Sequence, residues 1–362
     1  MSRRQEVLSR FLGEGPAEPL YVPDLTLWYD WHHEQETLPP EWEGATLPDI
    51  ARSMDVPIWL PVRPWRTVVQ GVEVETSEQQ GERLIRWEAP SGELQARWIL
   101  GPDGDWWQTE YPVKDKGDLR AALESVEARS YVLDPAALEL AESAVGQDGI
   151  VAIEIPRRPY SDLLHELLGW SEGLMLLGEP EVNEALNCLE EKLQQLTAEI
   201  ADLPGELVFS PDNLDGQFIS PRMFKKHLAS SYHQTAEVLH ARDKRFLVHV
   251  GGPIRHLVKH LTESGLDGIE GIAGPPQSNA TLAEARELAG PDLTLWGGVA
   301  QDMLVETYDQ GLFSTSVDQA VREARGDGRM ILGVADRVPV NASPERLKAL
   351  PELVRRGGIS AG

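Results

Sequence analysis

Through the C-terminal two-thirds of the chain, one rhythm recurs: a short apolar or β-branched run ends in Gly, Pro, Asp or His, and an amphipathic helical stretch follows. That alternation predicts parallel βα units. Counted from the start, the strand-like runs fall at 19–24, 56–61, 149–156, 206–212, 245–250, 266–272, 293–299 and 330–336. Eight strands with intervening helices predict an α/β fold, the TIM (β/α)8 barrel. No GxGxxG turn follows the first run to favour a doubly wound sheet. Helix starts are legible where Ser220 precedes Pro221 and Ser343 precedes Pro344, a capping side chain followed by a residue with preset φ.

Residues 66–112 break the rhythm. They alternate apolar and polar positions with turn signals at QQGE, PSGE and GPDGD, which predicts an antiparallel β meander. We expect it as an insertion, a lid, flap or dimer contact, within a single barrel domain spanning 1–362. The segment 26–44, rich in aromatic, acidic and proline residues, reads as a long loop over the barrel mouth.

Charge narrows the function classes. With 59 acidic against 33 basic residues the formal net charge is -26, which repels phosphate backbones and anionic lipid, so no nucleic-acid partner is expected. No window approaches the roughly 18 apolar residues of a membrane span, and the first residues carry no apolar core of signal length. The single cysteine, Cys188, lies in a helical pattern and allows no intrachain disulfide. A cytoplasmic protein without membrane association is the expectation. P-loop, GxSxG, HExxH and CxxC patterns are all missing from the sequence.

In a TIM barrel, chemistry gathers at the carboxyl ends of the strands, where the loops converge over a solidly packed interior. Position therefore picks out His249 in RFLVHVGGPI, Asp212 and Asn213 in SPDNLDG, Glu270 in GIEGI, Asp336 in GVADRVP, Glu154, Arg157 and Arg158 in AIEIPRRPY, and Asp24 in YVPDL. Carboxylates, an imidazole and an amide sharing one mouth suit general acid/base work or a divalent metal. His249, Asp212, Glu270 and Asp336 are the catalytic candidates. Asn213, Arg157, Arg158, Trp28 and Trp296 are the substrate-binding ones. Each has a plainer reading: a strand-end histidine bonded only for structure, an Asx turn at 212–213, an Asp336–Arg337 ion pair, a packed aromatic cluster around Trp28.

The order VFSPDNLDGQFISPRMFKKHLASSYHQ, RFLVHVGGPIRHLVKHLTESGLDGIEGI, LTLWGGVAQDML and ILGVADRVPVNASPERLKAL resembles the uroporphyrinogen decarboxylase superfamily over residues 145–357. That superfamily includes methyltransferases that move methyl groups between cobalamin-bound proteins and thiols or aromatic ethers. The resemblance implies a TIM barrel, often a homodimer, with its site at the strand ends. True decarboxylases carry arginines in the N-terminal region that hold substrate carboxylates, whereas YVPDLTLWYDWHHEQETLPPEW has none. The thiol-methylating branch holds zinc with a His-x-Cys pair and a later Cys. The matching positions here read His249-Val250-Gly251 and Gly333-Val334-Ala335. The resemblance therefore implies at most a degenerate divalent-metal site, zinc held by His249, Asp212 and Asp336. The leading expectation is a methyltransferase-like member acting on a small methylated metabolite, with a corrinoid protein as partner. A carboxy-lyase and a non-catalytic binding barrel are the alternatives.

Overall fold

The computed structural model describes residues 1–357 except 103 and 172. The chain packs as two compact units: Met1–Val62, Ala136–Glu154 and Pro204–Gly362 form the first, Arg63–Pro135 and Ile155–Leu203 the second. The strands among the described residues, in chain order, begin with β1 (Leu20–Tyr21), β2 (Ile58–Val62), β3 (Trp65–Val69), β4 (Glu73–Gln79), β5 (Glu82–Ala89) and β6 (Gly92–Leu100). They continue with β7 (Trp106–Glu110), β8 (Arg129–Leu133), β9 (Gly149–Glu154), β10 (Leu207–Leu214), β11 (Arg245–Val250), β12 (Gly268–Ile272), β13 (Thr294–Ala300) and β14 (Met330–Ala335).

Eight of these form one parallel sheet in the first unit, ordered β1-β14-β13-β12-β11-β10-β9-β2. Neighbours follow chain order and the first strand pairs the last, Leu20 opposite Ile331, so the sheet curls as the TIM-like α/β barrel that the βα rhythm predicts. Among the described residues no ladder joins β1 to β2. Pro61 inside β2 explains part of that opening, because a proline offers no N–H and is confined to sheet edges. A side chain crosses the seam instead, the Trp59 indole N–H donating to Asp24 Oδ2 over 3.1 Å.

The barrel interior is solid. Trp59, Ile150, Ala152, Leu207, Phe209, Leu247, Trp296 and Ile331 form one buried cluster with Val22 and, from the helix Arg3–Leu12, Val7 and Phe11. That helix closes the amino ends of the strands: Thr294 and Arg329 donate to the carbonyls of Arg10 and Phe11 at 3.1 and 2.7 Å. Function is thereby left to the carboxyl ends.

Residues 26–34 are a helix, not the loop the sequence suggests. Leu25 and Trp28 are fully buried, and Trp28 packs on His32 one turn later (4.8 Å between ring centres) and edge-on against Trp42 (5.6 Å). Aromatic residues on both faces of this short helix hid its periodicity. The two helices that Ser220 and Ser343 open do form, Pro221–His227 and Pro344–Arg356, and Ser220 accepts the N–H of Met223 as a cap.

In the second unit β4 to β7 make the expected antiparallel meander. Gln80 and Gly81, both at positive φ, join β4 to β5 as a two-residue turn matched to strand twist. β3 is not part of the meander. It pairs antiparallel with β8, Trp65 opposite Leu133, far along the chain. Among the described residues no helix is long and apolar enough to cross a membrane.

Candidate active site

His249, Glu270 and Trp296 lie opposite one another on β11, β12 and β13. Residues in register on parallel strands share a face, so the imidazole and the carboxyl both turn inward. His249 Nδ1 lies 2.5 Å from Glu270 Oε2, with both side chains about nine-tenths buried. Directly after Glu270 the β12–β13 ladder slips by one residue at Gly271, a bulge of the kind that re-aims side chains beside sites. Gly271 sits at φ +100°, and a Cβ there would lie 2.1 Å from the Val250 carbonyl oxygen and 3.0 Å from the His249 ring.

Asp336, just past β14, adopts φ +70°, a strained conformation for a non-glycine residue. Its Oδ1 stands 3.8 Å from His249 Nε2 and 3.5 Å from Arg337 Nε. Asp24, past β1, accepts the Thr26 N–H (2.9 Å), the Thr26 hydroxyl (2.5 Å) and the Trp59 indole, while its own carbonyl takes the Val338 N–H. The floor beneath is aromatic: Phe209 is 6.4 Å from the His249 ring, and Trp296, 4.7 Å from Trp59, donates to the Val22 carbonyl at 3.1 Å.

Burial alone would push the His249 imidazole down. The charge and hydrogen bond of Glu270, with the charge of Asp336, overcome that and raise it to about 9, against an opposing push from Arg337. Glu270 is itself held above the usual carboxylate range by burial, with Asp336 and Asp24 adding to the rise and His249 countering it. Burial likewise raises Asp24, against the Thr26 hydrogen bonds and the charge of Arg337. Both shifts favour a proton held between His249 and Glu270 at neutral pH.

A histidine raised above its unfolded value of about 6.5 contributes stability that is complete below that pH and lost as pH rises through its folded value. Between about pH 6.5 and 9 the His249 limb should therefore remove about 3 kcal/mol. Chemical denaturation across that window checks it: a flat profile, or the same slope in a His249→Ala, Glu270→Gln double variant, would show that the pair is not responsible.

The structure thus gathers His249, Glu270, Asp336, Asp24 and Arg337. Asp212 is turned elsewhere. It is fully buried and accepts the Ser210 hydroxyl at 2.8 Å and the Tyr232 hydroxyl, and Tyr232 packs in the helix layer against Phe224 and Phe246. Tyr232→Phe should cost about 1–3 kcal/mol, the penalty for depriving a buried acceptor of a donor, without moving the His249 titration. A shifted His249 NMR titration would instead place Asp212 in the mouth.

Asn213, exposed and at φ +50°, lies over Gly251, its Oδ1 2.2 Å from where a Cβ would stand. Arg157 and Arg158 belong to the second unit, where Arg157 donates to Glu166 at 2.7 Å and Arg158 is fully buried. Glu154 closes β9 opposite Phe209. Trp28 is packing, 1% exposed, and Trp296 is floor. Sequence reasoning missed Trp59 and Gly271. The only signal for Gly271 was a glycine inside the strand-like GIEGI, the usual mark of a bulge.

The zinc implied by the resemblance does not fit these residues. Gly251, where the first thiolate would stand, has the Asn213 amide over it, and a Cβ on Gly333 would meet Trp296 Nε1 at 2.6 Å and the Val22 oxygen at 2.9 Å. His249 Nδ1 is committed to Glu270. Among the described residues no group of three or more His, Cys, Asp or Glu side chains could hold a metal ion, so the set His249, Asp212 and Asp336 does not assemble.

A TIM-like barrel whose strand ends carry a buried, hydrogen-bonded histidine–carboxylate pair is the class of protein that fold and site define. The model of the uroporphyrinogen decarboxylase (URO-D) family matches residues 172–357, just over half the chain, and the chain belongs to that family. No curated protein matches it. Among solved structures it is similar to a methyltransferase from Methanosarcina mazei, with 14% identity, a TM-score of 0.61 and 98% of each chain covered. It is more distantly similar to a GH5-4 broad specificity endoglucanase from Bacteroides salanitronis, with 10% identity, a TM-score of 0.42 and 87% and 85% covered. A D-psicose 3-epimerase from Clostridium cellulolyticum H10 gives 10% identity, a TM-score of 0.39 and 61% and 83% covered. At these identities the likeness is one of fold.

Proposed function

We propose that the chain is a methyltransferase of the URO-D superfamily that takes the methyl group of a small methylated metabolite, with a corrinoid protein as partner. The observation that carries the reading is the buried His249–Glu270 pair, bonded through Nδ1, with Nε2 facing Asp336 at the barrel mouth. A methyl group leaves oxygen or nitrogen readily only if that atom receives a proton, and a buried acid charged at neutral pH supplies it. The family supports an enzyme of the URO-D superfamily, and the Methanosarcina methyltransferase shares the fold along the whole chain.

Glu270 fixes the imidazole's orientation and keeps it charged. Asp336 and Asp24 make the mouth acidic, which favours a neutral or cationic donor over the polycarboxylate a tetrapyrrole would present. Decarboxylation is the second reading, favoured by Arg337 beside Asp336, a guanidinium suited to one carboxylate, with the same imidazolium protonating the carbanion left behind.

The test is a panel of O-, N- and S-methyl compounds incubated with the full chain and reduced corrinoid, read by methylcorrinoid formation. Carbon dioxide release from carboxylated compounds is measured alongside. Methyl transfer supports the first reading, carbon dioxide release the second, and neither from any compound rejects both.

A further inference from the structure

We infer that this chain serves the donor side of methyl transfer without a metal ion of its own, a proton on His249 standing where a thiol-activating metal would act. The inference rests on the methyl-transfer reading above and fixes its direction. A thiol accepts a methyl group as its thiolate, yet a free thiol holds its proton up to about pH 8.5 unless a metal or a cation removes it. Among the described residues no cluster could hold a metal ion, the two cysteine positions are glycine-bearing segments filled by Asn213 and by Trp296, and the cations at the mouth, His249 and Arg337, are each set against a carboxylate, Glu270 and Asp336.

What surrounds His249 works against a thiolate as well. Glu270, Asp336 and Asp24 present three carboxyl groups, and like charge opposes forming another anion beside them. The same arrangement suits the opposite half-reaction. Nδ1 is tied to Glu270, leaving Nε2 to face the mouth and Asp336 across 3.8 Å. The carbon–heteroatom bond of the donor breaks with its electron pair going to the heteroatom, which takes the Nε2 proton. The methyl carbon bonds to the electron pair of a cobalt(I) corrinoid, a nucleophile that needs no deprotonation, and His249 regains a proton from water.

A separate methyl-accepting reaction must then consume the methylated corrinoid.

Zinc is titrated calorimetrically into the full chain and into His249→Ala. The purified chain is also offered methylcob(III)alamin with a simple thiol, and cob(I)alamin with the methyl-donor panel. We expect no zinc uptake that depends on His249 and thiol methylation no faster than the uncatalysed rate. Donor demethylation should fall at least about 100-fold in His249→Ala. One zinc per chain that His249→Ala loses overturns the inference. Catalysed thiol methylation also overturns it while leaving the methyl-transfer reading intact. Absence of zinc with no methyl transfer in either direction overturns the reading instead, and the metal-free mouth stands on the titration alone.

Discussion

His249→Ala is expected to lower stability by about 3–5 kcal/mol and any proton-dependent turnover by about 10²–10⁴-fold. The first figure follows from what the substitution leaves behind. Glu270 is only 10% exposed along its side chain and takes its partner's Nδ1 at 2.5 Å, so removing the imidazole strands a carboxylate that burial already disfavours. Breaking a buried pair from one side is far costlier than deleting both members. The double variant His249→Ala, Glu270→Gln should therefore recover a large part of the lost stability while recovering no activity. Denaturant unfolding of the two variants at pH 7 separates the effects. A single variant within 1 kcal/mol of the native chain, or a double variant no better than the single, would show that the pair is solvated and not the buried acid described here.

Much of this site was legible in the chain because barrel topology converts linear position into spatial position. His249, Glu270 and Asp336 each end an apolar run, and eight such runs in chain order bring their ends to one mouth. Strand positions were legible because the interior-facing runs are nearly continuous in apolar residues and stop at Gly, Pro or Asp. Parity was not. Asp212 also ends an apolar run, but β10 continues to Leu214 through a register slip, which turns this carboxyl toward Tyr232 and the helix layer. The chain has no local signal for that slip. Nor does sequence reveal partners far along the chain, so β3 read as the meander's first strand although it pairs with β8. The zinc expectation failed for a related reason. It came from motif positions, and whether a motif position can hold a ligand depends on what packs over it, Asn213 over Gly251 and Trp296 over Gly333.

Gly271→Ala should cost about 3–5 kcal/mol and release His249 from Glu270. Two costs combine. A non-glycine residue at φ +100° is strained by about 1–3 kcal/mol, and the new methyl would lie 2.1 Å from the Val250 carbonyl oxygen, a backbone atom that can move only by shifting β11. β11 is the strand that carries His249, and the methyl would also crowd the imidazole itself at 3.0 Å. Relief of the clash must therefore widen the gap between His249 Nδ1 and Glu270. Once that bond lengthens, the raising influence on the imidazole weakens and its titration falls from about 9 toward 6.5. Gly290→Ala provides the control, since Gly290 has φ +74° with nothing within 4 Å of a Cβ and bears only the conformational cost. Unfolding free energies and the His249 NMR titration of both variants decide the matter. Equal losses in the two, with His249 still titrating near 9, would mean that the bulge at Gly271 does not set the geometry of the pair.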